Sequence, residues 1–177
     1  MDTLTGVLNL SKLEAGEMNL GAGPVDLAEQ AEKIAEELRP QAEGKGLALR
    51  VETGEGPIRA RADAGGVQIV LRNLMSNAIK YTEEGEVRVR AYRKNSEAAW
   101  RSRIPASGWP PPGPRTSSSR SGRQFEGLAR DYEGTGLGLA VTKEAAEQMG
   151  GRVEVETKEG KGTCVTVRLP TPSRTND

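Results

Sequence analysis

The chain has no histidine, one cysteine and few rings: of 177 residues, 3% are aromatic. A single cysteine excludes an internal disulfide. Cys164 lies in an alternating apolar run and is expected to be a buried small hydrophobe. With so few aromatics, the core must be aliphatic and alanine-rich. Neither sign of charge is in excess, because 25 basic and 25 acidic residues cancel. Bulk electrostatics therefore argues for neither nucleic acid nor an anionic membrane surface as a partner. No apolar run approaches the roughly 20 residues needed to span a bilayer, and no signal peptide is evident. A cytoplasmic location without a membrane segment is expected of this stretch, with any anchor lying upstream. The length suits one domain with a core and short appendages.

Taken in order, Met1 to Gly16 carries Leu4, Val7, Leu8 and Leu13 and reads as a short amphipathic helix stopped by glycine. Asp26 to Gly44 reads as a helix opened by an Asp26–Glu29 capping pair, with Pro40 set to bend or end it. Leu47–Glu52 and Ile58–Ala62 read as short strands. After a central helix, Glu86–Tyr92 is a strand with Val87, Val89 and Ala91 on one face. Leu137–Met149 is a helix closed by Gly150–Gly151. Arg152–Thr157 and Thr163–Leu169 form a hairpin across Gly160–Lys161–Gly162, a turn read as structural. The polar tail, 171–177, is expected to be disordered.

The central helix is the informative stretch. Val67, Val70, Leu71, Leu74, Met75 and Ala78 recur at steps of three and four, which buries one face. Asn73, Asn77, Lys80 and Tyr81 follow at helical steps along the edge of that face. Asparagine costs a helix interior roughly half a kcal/mol relative to alanine, so two of them one turn apart ask for a reason. A solvated helix edge is one reason. The other is a carboxamide oxygen that reaches a divalent cation, with Lys80 facing phosphate as a point charge. Downstream, Gly134-Thr135-Gly136-Leu137-Gly138-Leu139 opens the later helix. Such glycines free backbone amides to approach phosphate at a helix N-terminus.

The string from Gln68 to Thr82 resembles the N box of the ATP-binding domain of sensor histidine kinases, a fold shared with DNA gyrase, the Hsp90 chaperones and MutL. The glycine string at 134–139 is similar to the family's second glycine box. Leu10–Gly16 resembles the end of the dimerisation hairpin that precedes this domain. The resemblance implies an α+β fold, a two-layer α/β sandwich of the Bergerat type with helices on one face of a mixed sheet. It implies a hairpin end at 1–20 and an ATP-binding domain at 21–170. It further implies ATP and Mg2+ as cofactors, with Asn77 holding the metal, and Asn73 and Lys80 as catalytic residues. Asn77, Lys80, Tyr81, Thr82, Gly134, Thr135, Gly136, Leu137, Gly138 and Leu139 would contact the nucleotide. The implied partners are a histidine-bearing dimerisation domain, a response regulator and, for a longer protein, a second copy. Because the chain has no histidine, the phosphoacceptor must lie on another segment or chain.

The chain departs from the family's pattern between the boxes. The family carries Asp-x-Gly-x-Gly there, whose carboxylate selects adenine, whereas Ala98 to Arg123 has no acidic residue and is rich in Pro, Ser, Arg and Gly. That composition reads as a disordered insert lacking the strand expected at the sheet centre. A displaced reading frame is a second explanation. With permitted codons for Trp100 to Trp109 (TGG AGG TCG CGG ATA CCG GCA TCG GGA TGG), dropping the first two bases gives Glu-Val-Ala-Asp-Thr-Gly-Ile-Gly-Met. The same frame reads Asp-Leu-Phe-Glu-Pro-Phe-Arg-Gln across Arg115 to Arg123. Three functions follow as expectations: a histidine-kinase-type catalytic domain, an inactive remnant serving as an interaction module, or a gyrase-like ATPase. The Leu10–Gly16 hairpin end argues against the last.

Overall fold

A computed structural model of the chain describes residues 23–105, 136–158 and 161–172. The hairpin end expected at 1–20, the remainder of the insert from 106 and the last tail residues lie outside them.

Two acidic caps start the first two helices. Asp26 accepts a hydrogen bond from the Ala28 N–H at 3.0 Å, and α1 (Leu27–Gly44) follows with Leu27, Ala31, Ile34, Ala35 and Ala42 buried. The helix continues through Pro40 instead of ending there. Asp63 accepts from the Gly66 N–H at 2.7 Å and opens α2 (Ala64–Tyr81). Val67, Val70, Leu71, Leu74, Met75, Ala78 and Ile79 of α2 are buried, the face that the spacing of three and four marks out.

Strand β1 (Gly23–Asp26) pairs with β3 (Arg59–Ala62) in a small antiparallel sheet. The main sheet has five strands in the order β2-β4-β5-β7-β6. Of these, β2 (Ala48–Thr53) and β4 (Glu86–Lys94) run parallel, which requires the crossover that α2 supplies. The remaining neighbours, β5 (Glu97–Ile104), β7 (Gly162–Pro170) and β6 (Arg152–Lys158), pair antiparallel. With α1, α2 and α3 (Gly136–Gln148), the chain is a mixed α+β sandwich whose helices pack on the five-stranded sheet.

The strand expected to be missing is present. β5 sits in the middle of the sheet, in register with β4 over 97–103 and with β7 over 97–104. Ala98, Trp100, Ser102 and Ile104 point inward and are buried, whereas Arg101 and Arg103 point outward and are exposed. That period of two is what a strand with one buried face requires. The insert therefore cannot begin at Ala98. Among the described residues Trp100 is the largest fully buried side chain, and its indole N–H donates to the Leu27 carbonyl at 3.2 Å, joining the sheet to the start of α1.

Cys164 corrects another expectation. Thr163, Val165, Val167 and Leu169 of β7 are buried, which turns Cys164 to the other face, where it is half-buried instead of forming part of the core. Burial pushes its thiol pKa up, with Arg101 and the hydrogen bond to Thr166 opposing. Two glycines close the turn from α3 to β6. Gly150 holds φ +77°, and a Cβ on Gly151 would meet the Arg168 carbonyl oxygen at 2.2 Å. Beyond β7, Thr171 is tied to the Ser96 carbonyl through both its N–H, at 3.1 Å, and its hydroxyl, at 3.0 Å. The ordered chain thus reaches past the expected start of the tail.

Candidate functional site

The residues singled out in the sequence gather on and beyond one flank of α2. This helix packs between α1 and α3. On the α1 side, the Gln68 amide donates to the Gln30 carbonyl oxygen at 3.1 Å, and Arg72 pairs with Glu37. The helical repeat places Asn77 about 180° around the axis from Gln68, and Asn73 about 140° from it. The two asparagines therefore lie on the flank turned toward α3. Both are half-buried, and among the described residues neither side chain makes a hydrogen bond. A half-buried carboxamide has two donors and an acceptor to satisfy, so this flank is chemically open.

The C-terminal end of α2 completes the stripe. Lys80 is exposed, with its ammonium 5.7 Å from the centroid of the Tyr81 ring, and Tyr81 is half-buried against the core. Thr82 caps the helix, its N–H donating to the Ala78 carbonyl at 3.0 Å. The Thr82 hydroxyl is buried and without a hydrogen-bond partner among the described residues. Such a group is costly unless water or a ligand reaches it.

Sequence reasoning missed Lys45, in the turn between α1 and β2. Its ammonium donates to the carbonyls of Ile79 at 2.8 Å, Lys80 at 2.9 Å and Thr82 at 2.9 Å. The last carbonyls of any helix lack intrahelical donors and carry its negative pole. A lysine placed over them satisfies both needs and fixes how the chain leaves α2. No spacing rule in the sequence signals a contact between residues so far apart along the chain.

The glycine string divides at the start of α3. Gly134 and Thr135 lie outside the described residues, while Gly136, Leu137, Gly138 and Leu139 form the first turn of α3. Because α3 packs on α2, Asn73, Asn77, Lys80 and Tyr81 of the first box and Gly136 to Leu139 of the second belong to neighbouring helices. Among the described residues no group of three His, Cys, Asp or Glu side chains could hold a metal ion. The Asn77 carboxamide oxygen could serve as a donor to a magnesium ion. The donor set fits that hard ion, which seldom uses an all-protein cage. No helix among the described residues is long and apolar enough to cross a membrane.

Comparison with known proteins bears on the family and the fold. A family described as "Histidine kinase-, DNA gyrase B-, and HSP90-like ATPase" matches residues 62–173. The circadian input-output histidine kinase CikA of Synechococcus elongatus is 32% identical over 177 residues, covering 96% of this chain and 23% of that protein. Histidine protein kinase DivJ of Caulobacter vibrioides is 32% identical over 174 residues, covering 96% of this chain and 28% of that protein. The chain thus spans about a quarter of the length of these curated relatives. Among solved structures, full-length ShkA in complex with AMPPNP superposes with a TM-score of 0.74 at 28% identity, covering 94% of this chain and 34% of that one. The nucleotide-free catalytic domain of histidine kinase ThkA, at 20% identity and a TM-score of 0.69, covers 85% of this chain and 95% of that one and shares the fold. With more than half of its residues matched and its relatives sensor histidine kinases, the chain belongs to the histidine kinase-, DNA gyrase B- and HSP90-like ATPase family.

Proposed function

We propose that this domain binds Mg-ATP along the α3-facing flank of α2 and presents its terminal phosphoryl group to a histidine on another segment or chain, in two-component signalling. One observation carries the reading: two half-buried asparagines, a turn apart, have no hydrogen-bond partner among the described residues. Asn77 holds the cation through its carboxamide oxygen, and Asn73 orients the ligand beside it. Asn77 would hold magnesium there, and the ion would supply positive charge to offset that of the phosphates during transfer. Lys80 adds a mobile positive charge at the exit of α2. Backbone N–H groups of the string Gly134, Thr135, Gly136, Leu137, Gly138 and Leu139 receive phosphate oxygens at the start of α3, where the helix pole favours anions. Tyr81 and Thr82 close the site at its base. Most of the catalysis is then positioning and charge stabilisation.

The acceptor is a histidine-bearing dimerisation domain, and the phosphoryl group passes on to a response regulator. The longer protein would work as a homodimer in the cytoplasm. Calorimetric titration with Mg-ATP tests the binding step. Saturable binding that requires magnesium supports it, and no binding at millimolar nucleotide overturns it. Nucleotide turnover without any histidine-bearing substrate would instead point to a gyrase-like ATPase.

A second reading, a remnant that serves only as an interaction module, is favoured by one feature. No acidic residue lies between Ala98 and Arg123 to select the base. In the displaced frame, the aspartate is read from the codons of Arg103 and Ile104, and Ile104 is buried at the end of β5. Sequencing the gene across this stretch decides the origin: DNA that does not encode Asp-x-Gly-x-Gly in the shifted frame excludes a displaced frame.

A further inference from the structure

The face of the main sheet away from the helices carries arginines in cross-strand rows. Arg50, Arg88 and Arg103 lie side by side across β2, β4 and β5, and Arg90 faces Arg101 in the next row. Like charges directly opposite on a sheet destabilise it unless carboxylates intervene. Glu86 and Glu52 serve Arg50 and Arg88, with Arg50 3.1 Å from Glu86 and Arg88 3.3 Å from Glu52. Arg90, Arg101 and Arg103 have no carboxylate within ion-pair distance among the described residues. Arg101 lies over the Tyr92 ring and uses one donor on the Thr166 hydroxyl at 3.4 Å. Arg103 uses one donor on the Lys161 carbonyl at 3.1 Å. Each guanidinium has five donors, so most face solvent and are open to an incoming acceptor.

The other half of the same face shows that this need not be so. On β6 and β7, Arg152 and Arg168 are both held by Glu97 and Glu154. The excess is local, since the whole chain is neutral. Beside it lies an open depression lined by Arg101, Arg103, Lys161, Glu156 and Cys164.

We propose that the arginine rows on β4 and β5 dock an acidic, extended segment of a partner protein. Successive outward residues on a strand stand about 6.8 Å apart, and so do the alternate carboxylates of an extended chain. Each carboxylate can be met by the two-pronged guanidinium edge. Nucleic acid and anionic lipid fit less well. Glu52, Glu86 and Glu156 border the patch, and a continuous run of phosphates leaving it would meet them.

The test uses the full chain and a dye-labelled peptide alternating glutamate and threonine, followed by fluorescence anisotropy. Saturable binding that weakens steeply with salt is expected. The double variant R90E/R101E should bind about tenfold more weakly or worse, whereas R59E on the small sheet should bind as the parent does. Matching thermal midpoints keep the comparison valid; if the double reversal does not fold, R90Q/R101Q takes its place with the same expectation. An absence of binding by the parent chain, or equal binding by the arginine variants, overturns the proposal. So does an oligonucleotide or phosphatidylserine vesicle that binds through these arginines in preference to the peptide. The site is independent of the Mg-ATP reading, so either can fail alone.

Discussion

The two flanks of α2 are made of similar residues and are treated differently by the fold. Toward α1, Gln68 and Arg72 each find a partner on the neighbouring helix. Toward α3, Asn73 and Asn77 are half-buried and bond to nothing among the described residues. A polar side chain at a helix interface normally acquires a partner, since leaving one buried and unmade costs about 1–3 kcal/mol. The first flank therefore serves packing, and on the proposed reading the second receives the ligand. Substitutions can separate the two roles.

The largest effect is expected beneath both flanks. Trp100→Ala empties the largest buried site among the described residues and removes the indole hydrogen bond to the Leu27 carbonyl, and should lower stability by about 3–5 kcal/mol in urea unfolding. An effect below about 1 kcal/mol would mean that β5 is not central to the core. Next comes Asn77→Ala. Mg-ATP binding should weaken by about a hundredfold, on the scale of lost metal and charged hydrogen-bond contacts. The thermal midpoint should hold or rise, because alanine is the better helix former. A midpoint that falls steeply would move Asn77 to the structural flank.

Lys45→Met tests whether the two roles are wholly separable. Three carbonyls at the end of α2 lose their donor, so a stability loss of about 1–3 kcal/mol is expected. Nucleotide affinity should weaken with it, because Lys80 and Thr82 lose their fixed exit. The smallest effect belongs to Arg72→Ala. Its pair with Glu37 is exposed, so denaturant midpoints should shift by less than about 1 kcal/mol, with nucleotide affinity unchanged. Weaker binding there would erase the contrast between the flanks.

Much of this was legible in the sequence where one local pattern dominated. The buried face of α2 followed from apolar spacing, and its polar stripe from helical steps of three and four. β5 was misread because composition averaged over 98–123 hid a short alternation, with Ala98, Trp100, Ser102 and Ile104 inward. Four inward positions outweigh the proline and serine that follow them. The face of Cys164 was within reach of the same logic, since Val165 and Val167 facing inward turn it outward. Lys45 was out of reach, because its role is created by the packing of α1 against α2 and leaves no trace in local spacing.

That lysine has a mechanical consequence. Its ammonium works as a strut between the α1–β2 turn and the last turn of α2, with Gly46 at φ +73° forming the hinge beside it. A molecule that draws Lys80 or Thr82 toward itself must also pull on this turn. Amide protons at Gly46 and Leu47, which bond to Glu43 and Ala42, would then register occupancy from outside the proposed site.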